Sequence, residues 1–450
     1  MLQHFGSLKN WQWKRRLLLW LGAVVVGLAT TLFIKGCILA YDTFHRVFAY
    51  GPWWPLLITP CTLALLAYLT SGKLRATRGS GIPQAIAALH IEDEKFRFRM
   101  LSLRVAAAKM ALTIAALLGG ASVGREGPTV HVGASLMYSI GRRFGFAEPA
   151  SAGRFVLAGS AAGLAAAFNA PLAGIVFAIE EMAGAYEDRV SGAIMTAVII
   201  GGIITLGLLG NYSYFGTVNA SLTIKQGWLA VLLCGVLCGL AGGLFSTIIL
   251  LGGRLLSRVA ALRSRWPVAF AFACGLALAL IGIASGNNVY GTGYEQARAI
   301  LQHASNTPSP GFGAYKFFAN IVSYWSGIPG GLFSPALAVG AGFGRNIAHL
   351  LPGSPVSAVA LLGMAGYLAG VTQSPLTSTI ICMEMTANQA MVIPILAVCL
   401  IARATSALFC KKPVYHAFAE QLEAQYEARH EDAMAPAPAE PPDQRPSQAM

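Results

Sequence analysis

The sequence predicts an all-α integral membrane protein with many helices, several of them tilted or broken. Of its 450 residues, 55% are hydrophobic and only 11% are charged, and the mean hydropathy is +0.60. Soluble domains of this length are less apolar than this. The 50 glycines also fit a membrane protein, because glycine lets membrane helices approach one another closely.

Apolar segments follow one another along almost the whole chain. They lie near residues 17–36, 54–70, 104–119, 129–141, 152–167, 171–184, 191–210, 227–252, 266–285, 313–326, 331–343, 355–373, 375–386 and 390–409. Several are shorter than the roughly 20 residues that a perpendicular helix needs to cross a bilayer. Interrupted backbone survives at membrane depth only where protein or a polar cavity surrounds it. The short segments therefore predict helices that end inside the protein, around a polar interior.

Basic residues give the chain a net charge of +13 and lie in short clusters between the apolar segments. The clusters are at residues 14–16, 73–78, 97–104, 142–143, 254–265 and 411–412. Such clusters are typical of cytoplasmic loops, so we expect a multi-pass protein of the cell inner (plasma) membrane, with cytoplasmic termini and no nucleic-acid partner. The long first apolar run lacks a clear cleavage site, which favours a retained helix over a signal peptide.

An internal repeat divides the membrane part of the chain. Residues 120–134 match residues 327–341 at six positions, and Pro128 recurs 207 residues later as Pro335. A second block, from Gly159 to Glu180, recurs at an offset of 204. Paired interrupted segments in two halves indicate the binding site of a transporter. Whether the halves are parallel or inverted depends on the number of membrane crossings, which the apolar segments alone leave open.

The repeat and the basic clusters suggest four parts of the chain. They are a cytoplasmic N-terminus (1–16), a first membrane repeat (17–215), a second membrane repeat (225–410) and a cytoplasmic tail (411–450). The tail is charged at first and then rich in Ala, Pro and Gln, a composition that predicts disorder at its end.

The most informative motif is Gly124-Arg125-Glu126-Gly127-Pro128, a charged pentad within apolar sequence. Ionisable groups at membrane depth are costly and usually lie in a pathway or cavity. Proline suits the first position of a helix, where its missing N–H has no partner to lose, so a helix should begin here. A helix N-terminus favours an anion. We therefore expect Glu126 to compete for an anion site and to act as a gate.

Three further segments offer anion ligands. They are Gly79-Ser80-Gly81-Ile82-Pro83, Gly331-Leu332-Phe333-Ser334-Pro335 and Lys412-Pro413-Val414-Tyr415. Hydroxyls and backbone amides bind an anion without a full positive charge, and so weakly enough for release. The sequence contains no HExxH and no convincing metal-ligand cluster. We therefore expect neither an enzyme with catalytic residues nor a metal or organic cofactor.

In their order and spacing, GSGIP, GREGP and GLFSP resemble the motifs of the CLC family of chloride channels and proton-coupled chloride exchangers. Residues 159–174, the Glu180-Glu181-Met182 triplet, residues 291–294 and the KPVY segment support the resemblance, which covers roughly residues 15–420. It implies an inverted-repeat fold, bound chloride ions, and a homodimer in the lipid bilayer with a separate pathway in each subunit. Because no paired nucleotide-binding (CBS) domains follow, the chain resembles the prokaryotic members.

The resemblance also implies a central chloride site. In that picture Ser80 and Tyr415 supply hydroxyls to the bound ion. The backbone amides of Leu332 and Phe333 complete the site. Since nitrate-preferring relatives have proline at the position of Ser80, this serine resembles that of chloride-preferring members.

Two carboxylates carry the remaining roles that the resemblance implies. The amides from Arg125 to Gly127 would form an outer anion site, where Arg125 adds positive potential. Glu126 would occupy an anion site when ionised and swing out when protonated. Glu181 matches the inner glutamate that relays protons in exchangers and is typically absent from channels.

The repeat separates Glu181 from its neighbour. Glu180 has the counterpart Glu384, which favours a shared structural role such as helix termination. Glu181 is matched by Met385 instead. This asymmetry favours a functional role for Glu181.

Four other residues carry weaker expectations. Lys109, in the middle of an apolar segment, is expected to neutralise a buried acid or to reach the membrane surface. His131 is expected to face a neighbouring helix and is given no role. Gln84 and Ile86 stand where relatives often carry acidic residues after GSGIP, so the inner approach of protons should differ here.

The sequence thus predicts chloride transport, with chloride and protons as the transported partners. A chloride/proton antiporter is the leading hypothesis, because it uses both Glu126 and Glu181. A passive voltage- or pH-gated chloride channel of the same fold is the alternative. A cation-coupled organic-solute transporter is a third hypothesis, since broken helices and repeats occur in solute carriers too.

Overall fold

The computed structural model is all-helical over the residues that it describes. These are residues 2–48, 50–183, 192–210, 213–222, 224–251 and 257–434. Within these ranges the backbone forms helices and loops but no β-strand, apart from two isolated bridges between loops. The predicted all-α class is therefore confirmed.

Nineteen α-helices are described. Helices α1 to α9 are Leu2–Phe48, Pro55–Ser71, Ile82–His90, Glu94–Met100, Leu103–Leu118, Glu126–Arg143, Pro149–Phe168, Pro171–Phe177 and Gly192–Leu209. Helices α10 to α19 are Ile224–Leu251, Ser257–Arg265, Pro267–Ala284, Tyr294–Leu301, Phe312–Trp325, Phe333–His349, Val356–Thr372, Pro375–Thr386, Val392–Ser406 and Val414–Met434. A π-helical turn, Ala178–Met182, continues α8.

Every apolar segment found in the sequence corresponds to a helix. Helix α1 begins well before the first of these segments, so that residues 2–16 are helical as well. Helix α19 takes up the first half of the predicted tail, and the predicted disorder at the tail's end lies outside the described residues. The apolar pattern did not indicate α4, α11 and α13, because these helices have only 7 to 9 residues and carry charges.

Six segments of the described chain are long and apolar enough to cross a membrane. They are Trp11–Val47, Glu94–Leu118, Pro149–Phe168, Gly192–Leu209, Gly227–Leu250 and Pro267–Ala284. Three shorter apolar helices, α2, α16 and α18, lie among them. The mixture of long and short helices agrees with the prediction that several helices end inside the protein.

The two repeats pack their central helices in the same way. Helix α6 packs on α7 as α15 packs on α16. In the first pair, Gly133 and Gly159 face each other so closely that a Cβ atom on either would overlap the backbone carbonyl of the other. Gly340 and Gly363, their counterparts in the repeat, make the same contact in the second pair. The repeated glycines therefore mark helix crossings that admit no side chain.

A two-fold relation between the repeats is visible where their loops meet. Gly124 and Gly331, equivalent residues in the repeat, form an antiparallel bridge. Each N–H donates to the carbonyl of the other glycine, at 2.8 and 2.7 Å. An antiparallel pair of equivalent residues has a local two-fold axis between its members, so the chain direction is reversed from one repeat to the other. Helices α6 and α15 thus start towards each other, which makes the repeats inverted.

Replacement of Gly159 by alanine should destabilise the α6–α7 crossing. The added methyl group overlaps the carbonyl oxygen of Gly133, and overpacking of this kind costs about 1–3 kcal/mol. The matched control is Gly153→Ala in the same helix, where the nearest atom to a new Cβ is Leu89 Cδ2 at 3.9 Å. Thermal unfolding of the detergent-solubilised protein should separate the two variants. Equal midpoints would contradict the close contact.

Candidate functional site

Three motif loops meet in the buried interior of the protein. The N–H of Gly79 donates to the carbonyl of Ile328 at 3.2 Å, and its carbonyl accepts from the N–H of Gly330 at 3.0 Å. Together with the Gly124–Gly331 pair, these bonds join the GSGIP, GREGP and GLFSP segments. Helices α3, α6 and α15 begin within these three segments. Because the first N–H groups of a helix have no partner within it, the convergence of helix starts favours an anion.

Two buried hydroxyls face this convergence. Ser80 is 1% exposed and Tyr415 is fully buried, and neither hydroxyl has a hydrogen-bond partner. A Cβ atom on Gly127 would overlap Ser80 Oγ, so this hydroxyl lies against the first turn of α6. The Tyr415 hydroxyl lies near that of Ser80. Buried polar groups are normally paired, so two unpaired donors at helix starts form a polar pocket suited to a small anion.

The start of α15 completes this pocket. Leu332 is the N-cap residue of α15, and Phe333 is its first residue. The ring of Phe333 stacks on the ring of Tyr415, with 5.7 Å between the centroids. The structure thus brings together Ser80, Leu332, Phe333 and Tyr415, the four residues predicted to bind chloride.

Glu126, the first residue of α6, places a carboxylate beside the same helix starts. Its side chain is fully buried, and its Oε1 accepts a hydrogen bond of 2.6 Å from the hydroxyl of Ser334. The Nε of Arg125 lies 3.9 Å from the same oxygen, while Oε2 has no hydrogen-bond partner. The carboxylate therefore sits where the exposed amides of α6 and α15 attract negative charge. The arrangement can exchange this carboxylate for a free anion.

Tyr214, which no motif in the sequence indicated, closes the other side of the carboxylate. The Oη of Tyr214 lies 3.4 Å from the Oγ of Ser334, and the Arg125 guanidinium lies over the ring, 5.8 Å from its centroid. Tyr294 meets this ring edge to face at 4.9 Å. Because Tyr214 stands in an irregular loop, no spacing rule pointed to it.

Glu181 lies on the π-helical turn and is 1% exposed. The hydroxyl of Ser374 donates a hydrogen bond to its Oε2, and Oε1 is without a hydrogen-bond partner. Tyr415 interacts electrostatically with both Glu181 and Glu126. The phenol is therefore within electrostatic reach of both carboxylates. Ser374 was not identified from the sequence, because it is remote from Glu181 along the chain.

Glu180 and Glu384 each cap the start of a helix in the other repeat. The Glu180 carboxylate accepts from the N–H groups of Leu376 and Thr377, at 3.1 and 2.6 Å. The Glu384 carboxylate accepts from Leu172 and Ala173, at 3.2 and 2.7 Å. A carboxylate at a helix start compensates the unpaired amides and the helix dipole. The shared structural role is thus confirmed, although each residue supports the start of the opposite helix rather than ending its own.

Lys109 does not neutralise an acid or reach the surface, so that expectation was wrong. Its buried ammonium group donates to the carbonyl oxygens of Thr77 and Gly79, at 2.8 and 2.6 Å. Lys316, its equivalent 207 residues later, donates to the carbonyls of Val289 and Gly291, at 2.8 and 2.7 Å. Each lysine thus fixes the glycine-rich loop before a short helix, α3 or α13. The sequence could not reveal these contacts, because every residue has a backbone carbonyl and the acceptor therefore cannot be recognised from residue types.

Two buried polar side chains support the GSGIP loop. His131 on α6 packs against Gly81 and places its Nε2 2.9 Å from the carbonyl oxygen of Met100. The amide of Gln84 donates to the carbonyl of Arg78 at 2.8 Å. Gly81 has a φ of +99°, a backbone conformation that residues with a side chain rarely adopt. These contacts support the backbone on either side of Ser80.

A cationic cavity of about 590 Å³ leads to Ser80. Among the described residues, its lining includes the basic residues Lys73, Arg75, Arg78, Arg99 and Arg263 but no aspartate or glutamate. Burial and the neighbouring charges of Arg75 and Arg263 lower the pKa of the Arg78 guanidinium. The cations therefore repel one another, and an anion in the cavity relieves that repulsion. The charge of the lining therefore favours an anion beside Ser80.

Comparison with known protein families gives a match over most of the chain. The model of the family described as voltage gated chloride channel matches residues 62–407. The H(+)/Cl(-) exchange transporter ClcA of Yersinia pestis is 32% identical over 406 residues, covering 86% of this chain and 82% of the relative. ClcA of Cronobacter sakazakii is 31% identical, covering 91% and 90%. A putative chloride channel protein of Ralstonia nicotianae, described as ClcB-like, is 32% identical over 366 residues, covering 78% and 82%.

Solved structures show the same fold. A slow cyanobacterial Cl−/H+ antiporter superposes with a TM-score of 0.74 at 24% identity, covering 91% of this chain and 99% of that one. A CLC-type fluoride/proton antiporter gives a TM-score of 0.76 at 24% identity, covering 90% and 97%. The predicted fold, an inverted repeat of many tilted and broken helices, is confirmed.

Replacement of Ser334 by alanine should strengthen anion binding at alkaline pH. The variant removes the hydroxyl that holds Glu126, and a hydrogen bond to a charged group contributes about 1.5–3 kcal/mol. The ionised carboxylate then competes less well, so chloride affinity measured by calorimetry should rise by about tenfold. The control is Ser378→Ala. It also removes a buried hydroxyl, but one that has no hydrogen-bond partner, so this variant should bind chloride like the wild type. Unchanged affinity in both variants would show that Ser334 does not hold the gate.

Proposed function

The chain belongs to the voltage-gated chloride channel family, and we propose that it exchanges chloride for protons across the cell inner membrane. Two of its relatives, from Yersinia and Cronobacter, are named H(+)/Cl(-) exchange transporters. The observation that carries the proposal is the position of Glu126, buried at the start of α6 and held by Ser334. A carboxylate in that place couples a proton to the anion that it displaces.

Glu126 is the gate in this proposal. When ionised, it fills the outer anion site at the amides of Arg125 and Gly127, where the helix starts attract its charge. Protonation removes that charge, so the side chain no longer competes with a halide. Binding of chloride and binding of a proton therefore favour each other, as linkage requires.

The central chloride site is a second anion site, next to the outer one. The hydroxyls of Ser80 and Tyr415 donate to the ion, and the amides of Leu332 and Phe333 complete its shell. Their buried, unpaired state supports this assignment. Neutral donors bind the ion weakly enough for it to leave again, and the cationic cavity next to Ser80 supplies the ion.

Glu181 is the second proton station. A proton on the fully buried Glu126 needs a second station on its way to the aqueous phase, because no single side chain spans from the anion site to the surface. Glu181 takes the proton there, and Ser374 holds its carboxylate in position. A passive chloride channel, the alternative, has no need of this residue. The Ralstonia relative described as a putative chloride channel keeps that alternative open to test.

The assembly and placement of the chain are part of the proposal. We place both termini in the cytoplasm, the repeats at residues 17–215 and 225–410, and the tail at 411–450. Two copies form a homodimer with one pathway each. The exposed apolar side chains of Leu172 and Leu376, on the adjoining helices α8 and α17, support a protein or lipid contact there.

Glutamine at either proton station should separate proton movement from chloride movement. Glu126→Gln cannot ionise and should leave chloride flux without proton coupling, and Glu181→Gln should lose proton transport because the second station cannot release a proton. The measurement is proton uptake by proteoliposomes under a chloride gradient, with chloride efflux recorded in parallel. Glu180→Gln, a neighbouring residue with a capping role, is the control and should keep coupling.

The wild-type protein decides between the hypotheses in the same assay. The antiporter pumps protons uphill when only a chloride gradient is applied. Chloride flux with no proton movement in the wild type would reject coupling and leave the channel. Absence of any anion flux, with sodium-driven uptake of an organic solute instead, would revive the third hypothesis.

Replacement of Ser80 by proline should raise nitrate transport relative to chloride transport. The variant removes the hydroxyl donor against the first turn of α6, and a polyatomic anion depends less on that single donor. Relative permeabilities come from reversal potentials or from competitive uptake with the two anions. An unchanged ratio, in a variant that still transports chloride, would count against Ser80 as a selectivity residue.

A further inference from the structure

Glu181 needs a route for protons, because its carboxylate is shut off from solvent. The residue is 1% exposed. The helix that packs nearby, α3, offers no titratable side chain between Gln84 and Leu89, and Ile86 is buried in the apolar core. Glu180, the titratable neighbour of Glu181 on the same turn, is engaged as a cap with the N–H groups of Leu376 and Thr377. Another titratable group must therefore come from another element if side chains conduct the proton.

Helix α19 brings such a group to the π-helical turn. His416 directly follows Tyr415, the phenol of the chloride pocket, and is half-buried. Its imidazole interacts with the backbone carbonyl of Glu181. The π-turn shifts the helical pattern by one residue, with the N–H of Ala183 donating to Ala178 at 3.0 Å, and such turns free carbonyls for other partners.

The face of α19 that carries His416 continues to the surface. Glu420 and Glu423 follow four and seven residues later, which places them on the same face of the helix. His90, the last residue of α3, pairs its Nδ1 with Glu423 Oε1 at 2.8 Å. The side chains of this pair are 45% and 23% exposed. A line of titratable groups thus runs from the aqueous surface to the turn that carries Glu181.

We propose that His416, supplied by the His90–Glu423 pair, relays protons between the aqueous surface and Glu181. The inference rests on the proposed antiport and adds the residues that load its second proton station. It makes His416 a proton-carrying group for the transport cycle rather than a purely structural neighbour of the chloride pocket.

The proposed step is a simple proton transfer that balances without another reactant. A ring nitrogen of the neutral His416 imidazole accepts a proton from water through the His90–Glu423 pair. The imidazolium then loses a proton as an O–H bond forms on the Glu181 carboxylate, whose Oε1 has no hydrogen-bond partner. The neutral imidazole is restored, and the reverse sequence releases protons.

The charges around His416 suit a transient carrier. Burial lowers its pKa and the neighbouring His90 lowers it further, whereas the Glu181 carbonyl and the carboxylates of Glu420 and Glu423 act in the opposite direction. The net shift is downward, so the ring is neutral at neutral pH and gains a proton only as the solution on its side becomes acidic. A carrier of this kind accepts a proton and gives it up again readily.

Two substitutions separate a relay from a structural contact. His416→Gln can still donate a hydrogen bond to the Glu181 carbonyl but carries no proton, whereas His416→Ala leaves a gap that free imidazole can fill. Proton uptake under a chloride gradient should fall by about tenfold in both variants. Added imidazole should restore the alanine variant and not the glutamine variant. His349→Ala, at an exposed position at the end of α15, is the control and should transport like the wild type.

Each outcome of this experiment bears on the proposal. Wild-type proton uptake in His416→Gln would overturn it, and so would failure of imidazole to restore His416→Ala. Calorimetric chloride binding shows whether the anion site is intact in each variant. Where chloride binding is lost, Glu423→Gln, which leaves the π-turn untouched, decides the matter: a several-fold loss of proton uptake supports the relay, and normal uptake overturns it. If the wild type moves no protons, the antiport itself fails; if it does and the variants are normal, only the relay fails.

Discussion

The structure depends on one constraint: two helices begin inside the protein, towards each other, and their free amides need a negative partner. The antiparallel Gly124–Gly331 pair fixes this meeting, and glycines at the helix crossings let the chains come close enough. Water cannot satisfy these amides as it does at a surface, so either the Glu126 carboxylate or a free anion must. In the proposed function the two compete for this place, so that anion binding depends on the charge of Glu126.

The residues that support the fold are equivalent in the two repeats, whereas the two carboxylates of the candidate site occur in only one repeat. The lysines that hold the glycine-rich loops, Lys109 and Lys316, are equivalent, as are the capping carboxylates of Glu180 and Glu384. Glu126 has Phe333 as its equivalent, so only one repeat supplies a carboxylate to the shared centre. Glu181 and its π-turn are likewise confined to the first repeat within the described part of the chain. The two carboxylates of the proposed proton route, Glu126 and Glu181, therefore have no acidic equivalent in the second repeat.

The sequence predicted those features that leave a pattern in residue types. Hydropathy located the membrane helices, and the spacing of Gly124, Pro128, Gly331 and Pro335 located the helix starts, because proline and glycine act on the local backbone. Contacts to backbone carbonyls, such as those of Lys109, were missed because the acceptor can belong to any residue. Tyr214 and Ser374 were missed because their partners are distant along the chain. The apolar segments alone left the direction of the repeats open, the family resemblance implied inversion, and the pairing of the equivalent residues Gly124 and Gly331 agrees with it.

The central claim is that ionised Glu126 competes with a halide for the helix starts, and the dependence of chloride affinity on pH tests it most directly. Calorimetric titration of the wild type and of Glu126→Gln over a range of pH is the measurement. If the claim holds, chloride binding by the wild type strengthens as the pH falls, because protonation removes the competing charge, and binding by the glutamine variant is tight and independent of pH. The same pH dependence in both proteins would contradict it.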